Sequence, residues 1–387
     1  MHPFVFEAPT RIEYGEGIAA SASEILKGLG ASKILIVSDQ GLVKSGVIAP
    51  ILQCFQEDKG LSTSVFTDVP ADSDVTCVNK AAAQAVADHC DGVLAIGGGS
   101  VLDAAKVVNI ALTLGGDVLD YQGMNNLTDR LKPMVAIPTT AGTGSEVSAV
   151  AMVRDVEEGK KLLYGSRFLA PDVSILDPTL LVSLPPNLTA ATGLDAVTHC
   201  IEAYSVEMVR SPMTDVLCLE GLRLLFQYLP QATKHGDDLE ARSNTLIAAN
   251  MAGMAFTNLG VGVVHALAHA TGGRFGTHHG TTNSVFLPWG MQFNLDVVAP
   301  RYAAMARYLR LTDDKNDEIA SKTLIDRVKE LSSEIGLPSR LRDLGVPVLK
   351  QEELENLASL ANSDPAIMFN PKETSVQDII GIYERAY

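Results

Sequence analysis

Cysteine is scarce and unpatterned in this chain. Its five cysteines, Cys54, Cys77, Cys90, Cys200 and Cys218, are odd in number, widely spread and never in C-x-x-C spacing. That distribution fits reduced thiols in a cytoplasm and argues against a disulfide framework. Positive charge is also short: 30 Lys and Arg stand against 46 Asp and Glu, a net charge of −16. Neither a nucleic acid nor an anionic membrane attracts such a surface. No run approaches the roughly 18 consecutive apolar residues of a membrane span, and MHPFVFEAPTRIEYG lacks the basic-then-apolar order of a secretory leader. Repeats and low-complexity tracts are missing too. We therefore expect a cytoplasmic protein with no nucleic-acid or membrane partner.

What is present is a chain of 387 residues, 47% hydrophobic, enough for two domains that each bury a core. Short β-rich runs alternate with helical stretches over 1–184. KILIVSD (33–39), STSVFTDV (62–69), GVLAIGGGS (92–100) and PMVAIPTT (133–140) read as strands. GLVKSGVIAPILQCFQED, VTCVNKAAAQAVADHC and SVLDAAKVVNIALTL read as helices between them. This alternation predicts an α/β domain with a parallel, doubly wound sheet that binds its ligand at the carboxyl ends of the strands. PDVSILDPTLLVSLPPNL (171–188), with four prolines, reads as a hinge, and the patterns after it are helical. The expected division is an α/β dinucleotide-binding domain over 1–184 and an all-α, metal-binding domain over 185–387.

In the first domain GGGSVLDAAK (97–106) carries the strongest signal. A strand runs into three glycines, and Ser100 and Asp103 form an S-x-x-D pattern that predicts a capped helix start. Glycines let backbone approach a ligand, and a helix N-terminus offers free N–H groups and a partial positive charge, so a pyrophosphate fits there. The common G-x-G-x-x-G fingerprint is absent, and the acid placed to hold a ribose, Asp39, precedes the glycines. The topology is thus a Rossmann-like variant. After the next strand, TTAGTGSEVS (139–148) offers Thr139, Thr140, Thr143 and Ser145 around further glycines.

In the second domain the signal is histidine. With 8 His in the whole chain, a stretch as short as 265–279 is expected to hold fewer than one, yet it holds His265, His269, His278 and His279. Asp195 and His199 stand four residues apart, as do His265 and His269, so each pair shares a helix face. One carboxylate and several neutral imidazoles converging from two helices and a turn make a divalent-metal site. Spacing does not choose between His278 and His279. Cys200 points roughly 100° away from His199 and reads as core.

PTRIEYGEG, GGGSVLDAAK, PTTAGTGSEVS, LDPTL, D-A-x-T-H at 195–199, H-x-x-x-H followed by HHG, and NPKETSVQDIIGIYERA together span nearly the whole chain. In these motifs the chain resembles the iron-containing (group III) alcohol dehydrogenases. The resemblance implies that Asp195, His199, His265 and His279 bind a divalent iron, or zinc or another divalent metal, with His269 near the metal but not a ligand. It implies that Gly97, Gly98, Gly99, Ser100 and Asp103 meet the pyrophosphate of NAD, and that Thr139, Thr140, Thr143 and Ser145 line the cofactor groove. It also places Asp39 at the adenosine ribose, which favours NAD over NADP, and Lys161 beside the cofactor. The implied activity is hydride transfer between a primary alcohol and NAD in a cleft between the domains, with His269 relaying the proton, in a homo-oligomer, most simply a dimer.

Three other activities compete. A hydroxyacid–oxoacid transhydrogenase and a polyol dehydrogenase need the same residues. A cyclase that makes dehydroquinate needs basic residues for a substrate phosphate, and 190–282 holds only Arg210, Arg223, Lys234, Arg242 and Arg274. A metal-stabilised scaffold without activity explains the histidines but not the glycine loop. Val150, Met254 and Phe256 are apolar pocket candidates that favour an unadorned alcohol.

Overall fold

The computed structural model describes residues 3–387. The chain forms two compact units, Ala8–Leu184 and Pro185–Tyr387, and the segment ending at Glu7 belongs with the second. The expected first domain, 1–184, includes that segment, whereas its contacts are with the helical unit. Its attachment is local: the Glu7 N–H donates to Asn258 Oδ1 (2.8 Å) and Asn258 Nδ2 donates to the Glu7 carbonyl (2.9 Å).

The first unit contains strands β1 (Arg11–Tyr14), β2 (Lys33–Val37), β3 (Ser62–Phe66), β4 (Gly92–Gly97), β5 (Gly123–Met124), β6 (Met134–Pro138), β7 (Val150–Asp155), β8 (Lys160–Gly165) and β9 (Val173–Leu176). Its α-helices are α1 (Ala22–Gly28), α2 (Gln40–Ser45), α3 (Ala49–Glu57), α4 (Val75–Ala87) and α5 (Gly99–Leu114). Six strands make a parallel sheet in the order β1-β9-β6-β4-β2-β3. The chain winds outward from β2 to β3, then crosses back to β4 and continues to β6 and β9. The order therefore reverses between β2 and β4, where a doubly wound sheet opens a crevice for its ligand. β4 is buried along its whole length, which is why it reads as an unbroken apolar run.

Five strands, β1, β5, β7, β8 and β9, lie outside the runs expected to be strands. β1, RIEY, is an exposed edge strand with no apolar run to mark it. β9 lies within the stretch read as a hinge, but Pro171 and Pro178 flank it without interrupting it, so its N–H groups remain free to pair. β7 and β8 form an antiparallel pair in a separate three-stranded sheet, order β5-β8-β7. The stretch 41–58, read as one helix, is two: α2 ends at Gly46, whose φ of 75° lies in the left-handed region that stops a helix.

The second unit is helical: α6 (Pro186–Ser205), α7 (Pro212–Lys234), α8 (Leu239–Leu259), α9 (Val263–Phe275), α10 (His279–Tyr308), α11 (Asp317–Glu334), α12 (Gln351–Asn362) and α13 (Val376–Ala386). α6 packs against α7, α8 and α10, and α9 against α10 and α12. Among the described residues no single helix is long and apolar enough to cross a membrane.

Candidate metal centre and cofactor loops

In the helical unit the two helical pairs and the turn after α9 meet. Asp195 and His199 lie on one face of α6, His265 and His269 on one face of α9, and His279 opens α10. Two glycines bring the last of these in. Gly276, at φ 66°, closes α9 with a left-handed turn that reverses the chain. A Cβ on Gly280 would lie 2.2 Å from the Ala191 carbonyl oxygen, so only glycine lets the start of α10 press against α6. His278 is left exposed as the residue preceding the helix.

Asp195, His265 and His279 each offer a ligand atom, all within 4.8 Å of one another. Asp195 Oδ1 is 3.6 Å from His265 Nε2 and 3.5 Å from His279 Nε2. His199 joins through its Nε2, 3.0 Å from His265 Nε2, and the Phe256 ring stacks on it at 4.4 Å. Of the other pocket candidates, Val150 begins β7 in the α/β unit and Met254 lies on α8. Asp195, His199 and His265 are buried, whereas the side chain of His279 is 28% exposed, so the cluster has a closed floor and a more open side. His269 sits on that side, stacked on His279 at 5.3 Å. Its Nδ1 is 2.9 Å from Asp364 Oδ2.

In the α/β unit, Asp39, Gly97–Gly99 and Thr139–Ser145 all follow the carboxyl ends of adjacent strands, β2, β4 and β6. The glycines are demanded by packing: a Cβ on Gly97 would lie 2.5 Å from Val101 Cβ, and one on Gly99 would lie 2.5 Å from Thr143 Cγ2. Gly98 has Thr140 Cγ2 at 3.3 Å on the same terms. The main-chain N–H of Thr139 bonds the Gly97 carbonyl (3.0 Å), knitting the two loops together.

The capping pattern expected of Ser100 and Asp103 does not form. Gly98 is the N-cap of α5 and makes no side-chain cap. Ser100 lies within the first turn and donates to the Ala71 carbonyl. Asp103 accepts from Ser145 Oγ (2.5 Å) and from the Met152 N–H (2.9 Å). Asp103 and Ser145 thus engage each other because the loop after β6 folds over α5 and offers them closer partners than the helix end. Lys161, on β8, reaches Asp72 Oδ1 at 3.0 Å. Asp39 caps α2 by accepting the Leu42 N–H (2.9 Å). Beneath these loops Lys106 is fully buried and donates to the Ser148 carbonyl (2.9 Å), Ser148 Oγ (3.1 Å) and the Val150 carbonyl (2.8 Å). Burial pushes its ammonium down to about 8 against the pull of Asp103 and Glu146.

Two family models match the chain, "Iron-containing alcohol dehydrogenase" over residues 9–178 and "Fe-containing alcohol dehydrogenase family, C-terminal" over 189–387. The NAD-dependent methanol dehydrogenase of Bacillus methanolicus is 36% identical over 98% of this chain and 99% of its own length. The 1,3-propanediol dehydrogenase of Citrobacter freundii is 36% identical over 99% of each. A crystal structure of a 1,3-propanediol oxidoreductase superposes with a TM-score of 0.95 at 35% identity, each chain fully covered. The chain belongs to the iron-containing alcohol dehydrogenase family. Its relatives are alcohol dehydrogenases, oxidoreductases of the kind the motifs predict, and NAD dependence is named for some of them.

The donor set fits a divalent ion. Donor atoms at ~2.1 Å from a divalent ion stand about 3.0 Å apart in octahedral and about 3.4 Å apart in tetrahedral geometry; His199 Nε2 and His265 Nε2 are 3.0 Å apart, and Asp195 Oδ1 is 3.5 and 3.6 Å from the His279 and His265 nitrogens. Around these ligands stand residues that the motifs did not single out. Glu202 Oε2 lies 2.5 Å from His265 Nδ1. Asn283 Nδ2 donates to Asp195 Oδ1 (2.7 Å) and lies 3.2 Å from His279 Nε2. Glu202, three residues after His199, and Asn283, four after His279, could have been found by extending the helical faces. Asp364, 95 residues from His269, could not.

The electrostatics favour a proton between Asp195 and His265, at the atoms a divalent ion would take. Burial would raise the Asp195 carboxyl, but His199, His279 and His265 around it hold it far below the usual carboxylate range. Burial would lower His265, but hydrogen bonds to Asp195 and Glu202 raise it to about 9. A ring whose protonated form is favoured in this way gives up its proton when a divalent ion binds. Ion uptake at neutral pH is therefore expected to release about one proton per site, with affinity rising as the pH climbs towards that value. Calorimetry in buffers of different ionisation enthalpy counts the protons, and a count of zero would mean that His265 is already neutral.

Proposed function

We propose that the chain is a metal-dependent alcohol dehydrogenase that transfers a hydride between NAD and a small primary alcohol or its aldehyde. The ligands in this reading are Asp195, His199, His265 and His279, and the ion is Fe2+, with Zn2+ or another divalent ion as the substitute. The observation that carries it is the convergence of Asp195, His265 and His279 from α6, α9 and α10, with His199 Nε2 set against His265 Nε2. A bound ion supplies Lewis acidity, lowering the pKa of an alcohol hydroxyl in one direction and polarising an aldehyde in the other.

The chain's own residues do the rest. Asp195 supplies a buried negative charge that offsets part of the ion's. His269, on the more open side, exchanges the hydroxyl proton, with Asp364 holding its Nδ1. For the cofactor, the first turn of α5 offers N–H groups and a partial positive charge to the pyrophosphate. Thr139, Thr140 and Thr143 edge the same loops, and Ser100, Asp103, Ser145 and Lys161 hold those loops in shape through Ala71, Met152 and Asp72. Asp39 stands at the end of β2, where a ribose is held in sheets of this kind.

The relatives' substrates, methanol and 1,3-propanediol, support a short, unadorned alcohol or diol. The five free cysteines support a cytoplasmic setting. The test is a screen of primary alcohols, diols, glycerol and hydroxy acids with NAD, on iron-loaded and zinc-loaded protein. NADH formation with short alcohols is the expected result. Turnover only when a hydroxy acid is paired with an oxo acid, without free NADH, would move the reading to a transhydrogenase.

Asp39 makes a separate prediction. Its carboxylate accepts hydrogen bonds from ribose hydroxyls, whereas the 2′-phosphate of NADP brings like charge close. Two unit charges ~4 Å apart repel by about 4 kcal/mol at an effective dielectric of ~20, and a quarter of that is roughly five-fold discrimination. Asp39→Gly is expected to raise kcat/KM with NADP and lower it with NAD. Replacing a cap by glycine costs only a few tenths of a kcal/mol, so the melting temperature should hardly move. An unchanged NAD/NADP ratio would reduce Asp39 to its bond with Leu42.

A further inference from the structure

We propose that Glu202 is a positioning residue of the metal centre: it fixes His265 with its hydrogen on Nδ1 and its lone pair on Nε2, and it supplies the second buried negative charge that balances a divalent ion. The inference rests on the ligand assignment made above and adds a residue to it.

Glu202 lies on α6 three residues after His199 and seven after Asp195, on the same helix face. It is 6% exposed, a burial rare for a glutamate without partners. Both oxygens are committed. Oε2 is 2.5 Å from His265 Nδ1, and Oε1 accepts the Val264 N–H at 2.7 Å. With both occupied, Glu202 acts through His265 and is not a fifth ligand.

Three details show that the fold is built to receive this carboxylate. Val264 sits in the first turn of α9, so Oε1 meets the positive end of that helix. A Cβ on Gly262 would stand 3.1 Å from Oε1 and 2.8 Å from Asn370 Oδ1, so the chain is stripped to glycine where the carboxylate enters. His265 Nε2 faces His199 Nε2 and Asp195 Oδ1, the atoms assigned to the ion. A hydrogen held on Nδ1 by Glu202 leaves Nε2 as the nitrogen with a lone pair for the ion, and it makes the imidazole a stronger donor. Asp195 and Glu202 together carry two negative charges, equal to the charge of the ion, so the closed floor of the site is neutral when occupied.

Glutamine at 202 breaks this in either amide orientation. With its oxygen towards His265, its NH2 group opposes the Val264 N–H. With its NH2 group towards His265, the ring must accept at Nδ1 and carry its hydrogen on Nε2, where the lone pair is needed. Aspartate keeps the charge but falls one methylene short.

The experiment measures Zn2+ and Co2+ affinity at one pH by competition with a chromophoric chelator, for wild type, Glu202→Gln and Glu202→Asp. Proton spectra of the zinc-loaded proteins are recorded beside it. We expect Glu202→Gln to keep its helical circular dichroism, to bind about 10- to 100-fold more weakly, and to lose the far-downfield N–H signal of the His265–Glu202 bond. Glu202→Asp should bind more weakly than wild type and more tightly than Glu202→Gln. Affinity within about twofold of wild type for Glu202→Gln, or persistence of that signal, overturns the proposal. If Glu202→Gln does not fold, Glu202→Asp decides alone: weaker binding with a shifted signal supports the role, and unchanged affinity overturns it. Wild type that takes up no divalent ion overturns the ligand assignment itself, which keeps the two failures apart.

Discussion

Replacing His279 by alanine is expected to empty the metal centre and abolish turnover, although the ring is the most exposed of the four ligands. Its Nε2 stands 3.5 Å from Asp195 Oδ1 and completes the open side of the cluster. Without it, Asp195, His199 and His265 remain, and an ion in this site would be under-coordinated. Asp195→Ala should do the same for a different reason. It removes one of two buried negative charges and leaves Asn283 Nδ2 without its 2.7 Å acceptor. His278→Ala is the control: that side chain is exposed, outside the cluster, and its loss should leave metal content and turnover intact. Metal analysis of the three purified variants settles the matter, and a metal-replete His279→Ala protein would refute the assignment.

The second large effect is expected at His269, and there metal and turnover should separate. The ring stacks on His279 at 5.3 Å and gives its Nδ1 to Asp364 at 2.9 Å, so it touches the centre without completing it. His269→Ala should keep its metal and lose about 10²- to 10⁴-fold in kcat, the usual worth of general acid–base help. Asp364→Asn tests the partner. Burial would raise the Asp364 carboxyl, but His269 beside it holds it below the ordinary range, so it is ionised at neutral pH and accepts the Nδ1 hydrogen. An asparagine there can also donate, which lets the ring choose the other tautomer, so a smaller loss in kcat is expected with metal content unchanged. Equal metal loss in His269→Ala and His265→Ala would instead place His269 among the ligands.

The sequence by itself determined which residues share a face. Four-residue spacing paired Asp195 with His199 and His265 with His269, because a helix returns to the same side every 3.6 residues. Unbroken apolar runs marked β2, β4 and β6, because a strand covered on both faces has no polar side. The glycines at 97–99 announced a close approach, and packing against Val101 and Thr143 is what requires two of them. Tertiary structure decided which faces meet. His279 joins Asp195 and His265 and His278 does not because Gly280 lets α10 press against α6, a contact across 89 residues that no local pattern encodes. Asp103 accepts from Ser145, 42 residues away, instead of joining a cap of α5, because the loop after β6 folds over that helix. The groups around the cluster are also brought in over long separations: Glu202 reaches Val264 across 62 residues, Asn283 reaches Asp195 across 88, and Asp364 reaches His269 across 95. Spacing along a chain fixes direction within one element. Contact between elements is fixed by the packing of whole surfaces, so the His and Asp faces, with Glu202 and Asn283 on them, were open to helical spacing, whereas their partners across elements, Asp364 among them, were not.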